Sequence, residues 1–152
     1  MTQPAIAHGS FTIERHYDTA PTDVFRAWAD PAVKAKWFIG PEGWKQIARK
    51  LDFRVGGEEL LHGRFDTMET LFEARFYEII ENHRIAYVYD MHIGGRHHSL
   101  SLATVELQAS GSGTQFLFTE QVAFFDGTDG AEGVASRKRG TNAHFDRLAL
   151  TI

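Results

Sequence analysis

Between Ile47 and Ala123 apolar residues recur at every second position, broken only by gaps too short to carry a strand across to a parallel neighbour. Ile47, Arg49, Leu51 and Phe53 alternate with other residues in the first run, and Gly56-Gly57 follows as a hairpin signal. Residues 61–66, 71–80, 85–91, 100–107 and 114–123 continue the pattern. Thr67-Met68, Glu81-Asn82-His83, Ile93-Gly94-Gly95 and the Ser110 to Gly113 turn separate them. Connections this short make successive strands antiparallel, so the run predicts a six-strand meander. Residues 11–18 predict one more strand ahead of it.

Two short helices are expected between that first strand and the meander. Pro21 opens the first, with Thr22 and Asp23 in the opening turn and Val24, Ala27 and Trp28 on one face. Asp30-Pro31 repeats the device: the carboxylate caps, the proline opens, and Val33 and Trp37 lie one turn apart before Gly40-Pro41 ends the helix. Helices of about two turns are unstable alone, so both must lie against something larger.

After Gly130 the period becomes helical. Val134, Thr141, Phe145, Leu148 and Ile152 form one stripe, and Arg137-Lys138-Arg139 reads as a solvated face. A twisted sheet of seven strands turns roughly 25 side chains inward, whereas one helix offers about six. Phe53, Phe65, Phe72, Phe76, Tyr87, Tyr89, Phe116 and Phe118 therefore exceed what that helix can cover. The sheet must curl tightly onto itself or leave a cavity beneath the helix. Gly140, which costs the helix about 1 kcal/mol against alanine, favours a cavity or a close backbone approach.

The fold class expected is α+β, in the order β-α-α-β6-α, with a curved antiparallel sheet of about seven strands wrapped around a long C-terminal helix. The chain has 152 residues, enough for one domain with a substantial core. Residues 1–10 are expected as a loose arm and 11–152 as that domain. A net charge of -4 without a long basic run argues against nucleic acid as partner. Without cysteine there is no disulfide framework and no thiolate chemistry. No leader or bilayer-length apolar run is present, so a cytoplasmic protein without membrane insertion is expected.

The segment from Phe11 to Pro41, then Asp52-Phe53-Arg54-Val55-Gly56-Gly57, Tyr77-Glu78-Ile79, Gly113-Thr114, and Arg139-Gly140 with Phe145 and Leu148, resemble the Hsp-90 ATPase activator homologues. Those belong to the START-like (SRPBCC) superfamily, which shares the helix-grip fold of the birch-pollen allergen. The resemblance covers nearly the whole chain from Phe11 to Ile152. It implies a sheet gripping the terminal helix around a hydrophobic pocket, in a superfamily used for lipid carriage, polyketide cyclisation and chaperone contact. Thr141 stands where many relatives place a tryptophan, which implies a more open or more polar cavity floor.

Glu120 shares a strand face with Phe116, Phe118 and Val122, and a carboxylate among apolar neighbours suits a general acid or base. Strand-end exposure or pairing with an arginine is the plainer alternative. His144, beside Phe145, is a second weak catalytic candidate or a ligand contact, set against a satisfied boundary histidine. Tyr87 and Tyr89 present hydroxyls inside the pocket or serve as apolar filler. His92, His97 and His98 flank one turn, but no third and fourth metal ligand is evident and no metal site is expected. No cofactor fingerprint occurs. Arg15, Arg54 and Arg75 lie in strands, where an anchor for a ligand carboxylate weighs less than a solvated head.

The favoured function is a binding protein for a small hydrophobic or amphipathic ligand, held by the inward aromatics together with Gly140, Thr141, His144 and Phe145. A chaperone-contact module is one alternative, although relatives acting as chaperone activators carry an extra N-terminal domain for which this length leaves no room. A cyclase- or hydrolase-like enzyme using the same cavity is another. An open edge at residues 11–18 can also pair with a second copy as a homodimer.

Overall fold

Alternation and turn chemistry produce the expected order of elements in a computed structural model, which describes residues 3–152. The strands are β1 (Ala7–Tyr17), β2 (Trp44–Leu51), β3 (Glu58–Phe65), β4 (Met68–Ile80), β5 (Arg84–Ile93), β6 (Arg96–Ser110) and β7 (Gly113–Phe124). The helices are α1 (Pro21–Ala29), α2 (Pro31–Trp37) and α3 (Gly130–Ala149). All strands join one antiparallel sheet in the order β1-β7-β6-β5-β4-β3-β2. The class is α+β with the helix-grip arrangement.

The meander makes every pairing but one local. The exception joins β1 to β7, with Phe11 opposite Glu120 and Ile13 opposite Phe118. Because β1 and β2 are consecutive yet lie at opposite edges, the chain between them must cross a face of the sheet, and α1 and α2 make that crossing. Pro21 opens α1, and Asp30 caps α2 by accepting from the Ala32 amide at 2.9 Å. The indole N–H of Trp37 donates to the Ala27 carbonyl at 2.9 Å, binding the two helices together.

Strand parity departs from expectation at several points. Ala7–Ser10, expected within a loose arm, form the first rungs of β1 against Gln121–Phe124; Met1 and Thr2 of that arm lie outside the described residues. The register shifts between Gln46 and Ala48, so Ile47 drops out of the ladder and is exposed, because a bulge reverses the side-chain alternation. On β6 the inward residues are Ser99, Ser101, Ala103, Val105 and Leu107, which leaves Leu100 and Leu102 outside. The helix α3 stops before Ile152, since the amides of Leu150 and Thr151 close back on Arg147 and Leu148. The small inward residues of β6 leave room on the concave face.

Candidate functional site

That room is a cavity of about 560 Å³ between the sheet and the helices. Its walls come from α1 and α2 (Trp28, Lys34, Trp37), from β4 and β5 (Phe72, Tyr87, Tyr89, Met91), from β7 (Phe118, Glu120) and from α3. Glu132, Ser136 and Gly140 are its exposed lining residues, spaced one helical turn apart along α3, so the opening runs beside that helix.

Of the expected ligand contacts, Phe72, Tyr87, Tyr89, Phe118, Gly140, Thr141, His144 and Phe145 do line this space. Four others are placed elsewhere. Phe53 packs edge-on against Phe25 and Phe76 at 5.6 and 5.0 Å, so Phe53 and Phe76 fill the volume under α1. Phe116 is sealed against Trp28, Tyr17 and Phe145. Phe65 shares the inward parity of Leu61 but ends its strand beyond the helical cover and is 48% exposed. An added Cβ on Gly140 meets no atom within 4 Å, so this glycine borders open space rather than a close backbone.

Glu120 is 1% exposed, and its Oε2 receives three donors: the Tyr89 hydroxyl at 2.7 Å, the Ser101 hydroxyl at 2.8 Å and Nη1 of Arg137 at 3.0 Å. Arg137 also donates from Nη1 to Tyr89 at 2.8 Å and from Nη2 to Ser99 at 2.7 Å. The plainer expectation for Glu120, pairing with an arginine, is what the geometry has. Arg137 itself overturns the expectation of a solvated basic face: it turns inward from α3, with its guanidinium over the rings of Tyr89 and Phe124. Burial works against its charge, but Tyr89 and Glu120 outweigh this and raise the guanidinium above its ordinary value. Burial and the Glu120 charge raise the Tyr89 phenol, so it stays protonated and donates.

A second buried ion pair, absent from the sequence reading, lies at the other end. Lys34 of α2 reaches Glu59 of β3 at 2.6 Å, both 3% exposed, with Nζ over the rings of Trp28 and Phe38 at 4.9 and 5.1 Å. Burial pushes the ammonium below the usual lysine range although Glu59 pulls the other way. His144 is held by Nε2 on the Ile39 carbonyl at 3.1 Å. Burial first, then the Arg147 charge, bring its imidazole down to about 4.

Of the remaining candidates only His98 lines the cavity. Arg15 pairs with Asp146, Arg54 with Asp52 and Arg75 with Glu58, all away from its walls. His97 pairs with Asp90 at 2.6 Å and His98 with Asp126 at 2.7 Å, while His92 stacks on His97. Among the described residues no three acidic or histidine side chains gather as a metal would require, and no helix is long and apolar enough to cross a membrane. Arg137 was hidden because stripe reading treats charge as outward. Its partner Glu120 on an apolar strand face was the available signal, since a buried carboxylate calls for a cation.

The family model for Activator of Hsp90 ATPase homolog 1-like protein matches residues 18–152. A protein of known crystal structure from Rhizobium loti is 40% identical, with 97% of this chain and 99% of that chain covered and a TM-score of 0.87. One from Rhizobium leguminosarum is 36% identical over 97% of this chain and 95% of its own, with a TM-score of 0.89. An AHSA1-like protein from Aeromonas hydrophila, 20% identical over 94% and 91%, shares the fold with a TM-score of 0.72. None of the curated proteins matches the chain.

Proposed function

The chain belongs to the Activator of Hsp90 ATPase homolog 1-like family, and from that premise we propose that it binds a small hydrophobic or amphipathic molecule in the cavity between sheet and α3. The observation that carries this reading is the aromatic-walled space of about 560 Å³ in an interior whose other rings are packed against one another. A space of this size suits a small organic guest, and open, apolar, partly preformed cavities of this kind are the usual place for one. Phe72, Tyr87, Phe118 and Phe145 supply the apolar wall, with Trp28 and Trp37 closing the end under α1 and α2.

A thermal-shift screen of the intact chain against apolar and amphipathic compounds tests this. A ligand present at about a hundred times its dissociation constant adds about 2.7 kcal/mol to the native state, so a clear rise in Tm is expected. A flat response across fatty acids, alcohols and aromatic compounds sinks the reading. The family description favours a second reading, contact with a chaperone ATPase. It predicts faster ATP turnover by Hsp90 on titration, and a flat titration removes it.

A further inference from the structure

The hydrogen-bonding inventory of the cavity wall narrows the ligand; this inference rests on the ligand-binding reading. The wall's two cations and the donors around them are engaged; the hydroxyls of Tyr87, Thr70 and Ser136 and the indole N–H of Trp44 line the cavity without a partner among the described residues, and all four are uncharged. Tyr89, Ser101 and Arg137 converge on Oε2 of Glu120, and Nη2 of Arg137 is held by Ser99. Lys34 is held by Glu59 and surrounded by rings, Thr141 donates to the Arg137 carbonyl at 2.9 Å, and Trp37 donates to Ala27. The indole N–H of Trp28 lacks an acceptor but is sealed by packing. Nε of Arg137 is left over, on a guanidinium whose charge Glu120 already balances.

Two acceptors of the wall are open as well. No protein donor among the described residues reaches Oε1 of Glu120, since all three fall on Oε2. The partner of His144 Nε2 is a carbonyl, which can only accept, so the ring proton sits on Nε2 and Nδ1 carries a bare lone pair. Neither atom is sealed away: among the described residues the buried, unpartnered side-chain atoms are Trp28 Nε1 and His92 Nδ1. Both acceptors therefore keep some exposure, on side chains that line the cavity. With its imidazole held near 4, His144 is neutral at neutral pH and keeps that lone pair free.

Charge selects in the same direction. Lys34 is matched by Glu59 and Arg137 by Glu120, so an incoming carboxylate finds no uncommitted cation and meets a bare carboxylate oxygen. We propose that the cavity prefers an uncharged ligand that donates hydrogen bonds, an apolar body bearing a hydroxyl, over a carboxylate of equal length, with Glu120 Oε1 and His144 Nδ1 as the receiving atoms.

Calorimetric titration of the intact protein at neutral pH with 1-decanol, decyl methyl ether and decanoate decides it. The three share a chain and differ in the head: a donor, an acceptor without a donor, and an anion. A hydrogen bond to a buried charged acceptor predicts the alcohol to bind about tenfold more tightly than either of the others. Glu120→Gln should shrink that ratio, and His144→Phe does the same without exposing Arg137 if the first variant folds poorly. Decanoate binding as tightly as the alcohol, or the alcohol and ether binding alike, overturns the proposal while the binding reading stands. Failure of all three to bind removes both.

Discussion

His144 links the cavity wall to pH. Its folded-state pKa of about 4 lies below the ordinary histidine value of 6.5, so between those values the unfolded chain takes up a proton that the folded chain refuses. Stability from this group is therefore full above about pH 6.5 and is lost as pH falls toward 4. Urea unfolding should show the wild type losing about 2–3 kcal/mol more than His144→Gln across that window. Equal losses would show that the imidazole is freely hydrated. Two α3 glycines make a second residue-scale contrast. Gly140→Ala meets no atom and gains helix propensity, so Tm should rise, with about 0.5–1 kcal/mol of added stability. Gly133→Ala places a Cβ 2.6 Å from Cζ of Phe124 and should lower Tm.

At the scale of elements, the Lys34–Glu59 pair fastens α2 to β3 at a point where both side chains are nearly sealed. Glu59→Gln leaves an ammonium buried without a counter-charge, and denaturant unfolding should show a loss of about 3–5 kcal/mol. Lys34→Met combined with Glu59→Leu should recover most of it, because removing both charges also removes the cost of burying them. The helices themselves were legible from local signals: Pro21, Pro31 and the Asp30 cap act within one turn of where they stand. On the strands the lining of the cavity was legible where parity runs undisturbed, at Phe72, Tyr87, Tyr89 and Phe118, and on α3 at Gly140, Thr141, His144 and Phe145. The bulge at Gln46–Ala48 broke that parity, while at Phe65 parity held but the strand ended beyond the helical cover, and no local pattern announces either. Arg137 shows the same limit from α3, since its inward turn depends on Glu120 across the core.

For the molecule as a whole, the interior is tied together by rings from elements far apart in the chain. Trp28, 2% exposed, lies within 4.9 to 6.4 Å of the rings of Trp37, Tyr87, Phe116 and Phe145, and so touches α2, the sheet and α3 at once. Trp28→Ala should cost about 3–5 kcal/mol in denaturant unfolding, and Phe65→Ala less than about 0.5, although both are large aromatics of the same predicted interior. Similar losses at the two positions would contradict this division of the core. By itself the sequence determined the strand count, the antiparallel order of the meander, the helix starts and the surplus of inward aromatics, because each follows from spacing or turn chemistry within a few residues. The pairing of β1 with β7, the buried Lys34–Glu59 and Arg137–Glu120 pairs, and the volume left open beneath α3 were decided only by the tertiary structure. Those depend on which side chains meet across the curved sheet, and a linear pattern records the facing of each residue but not the distance to its partner.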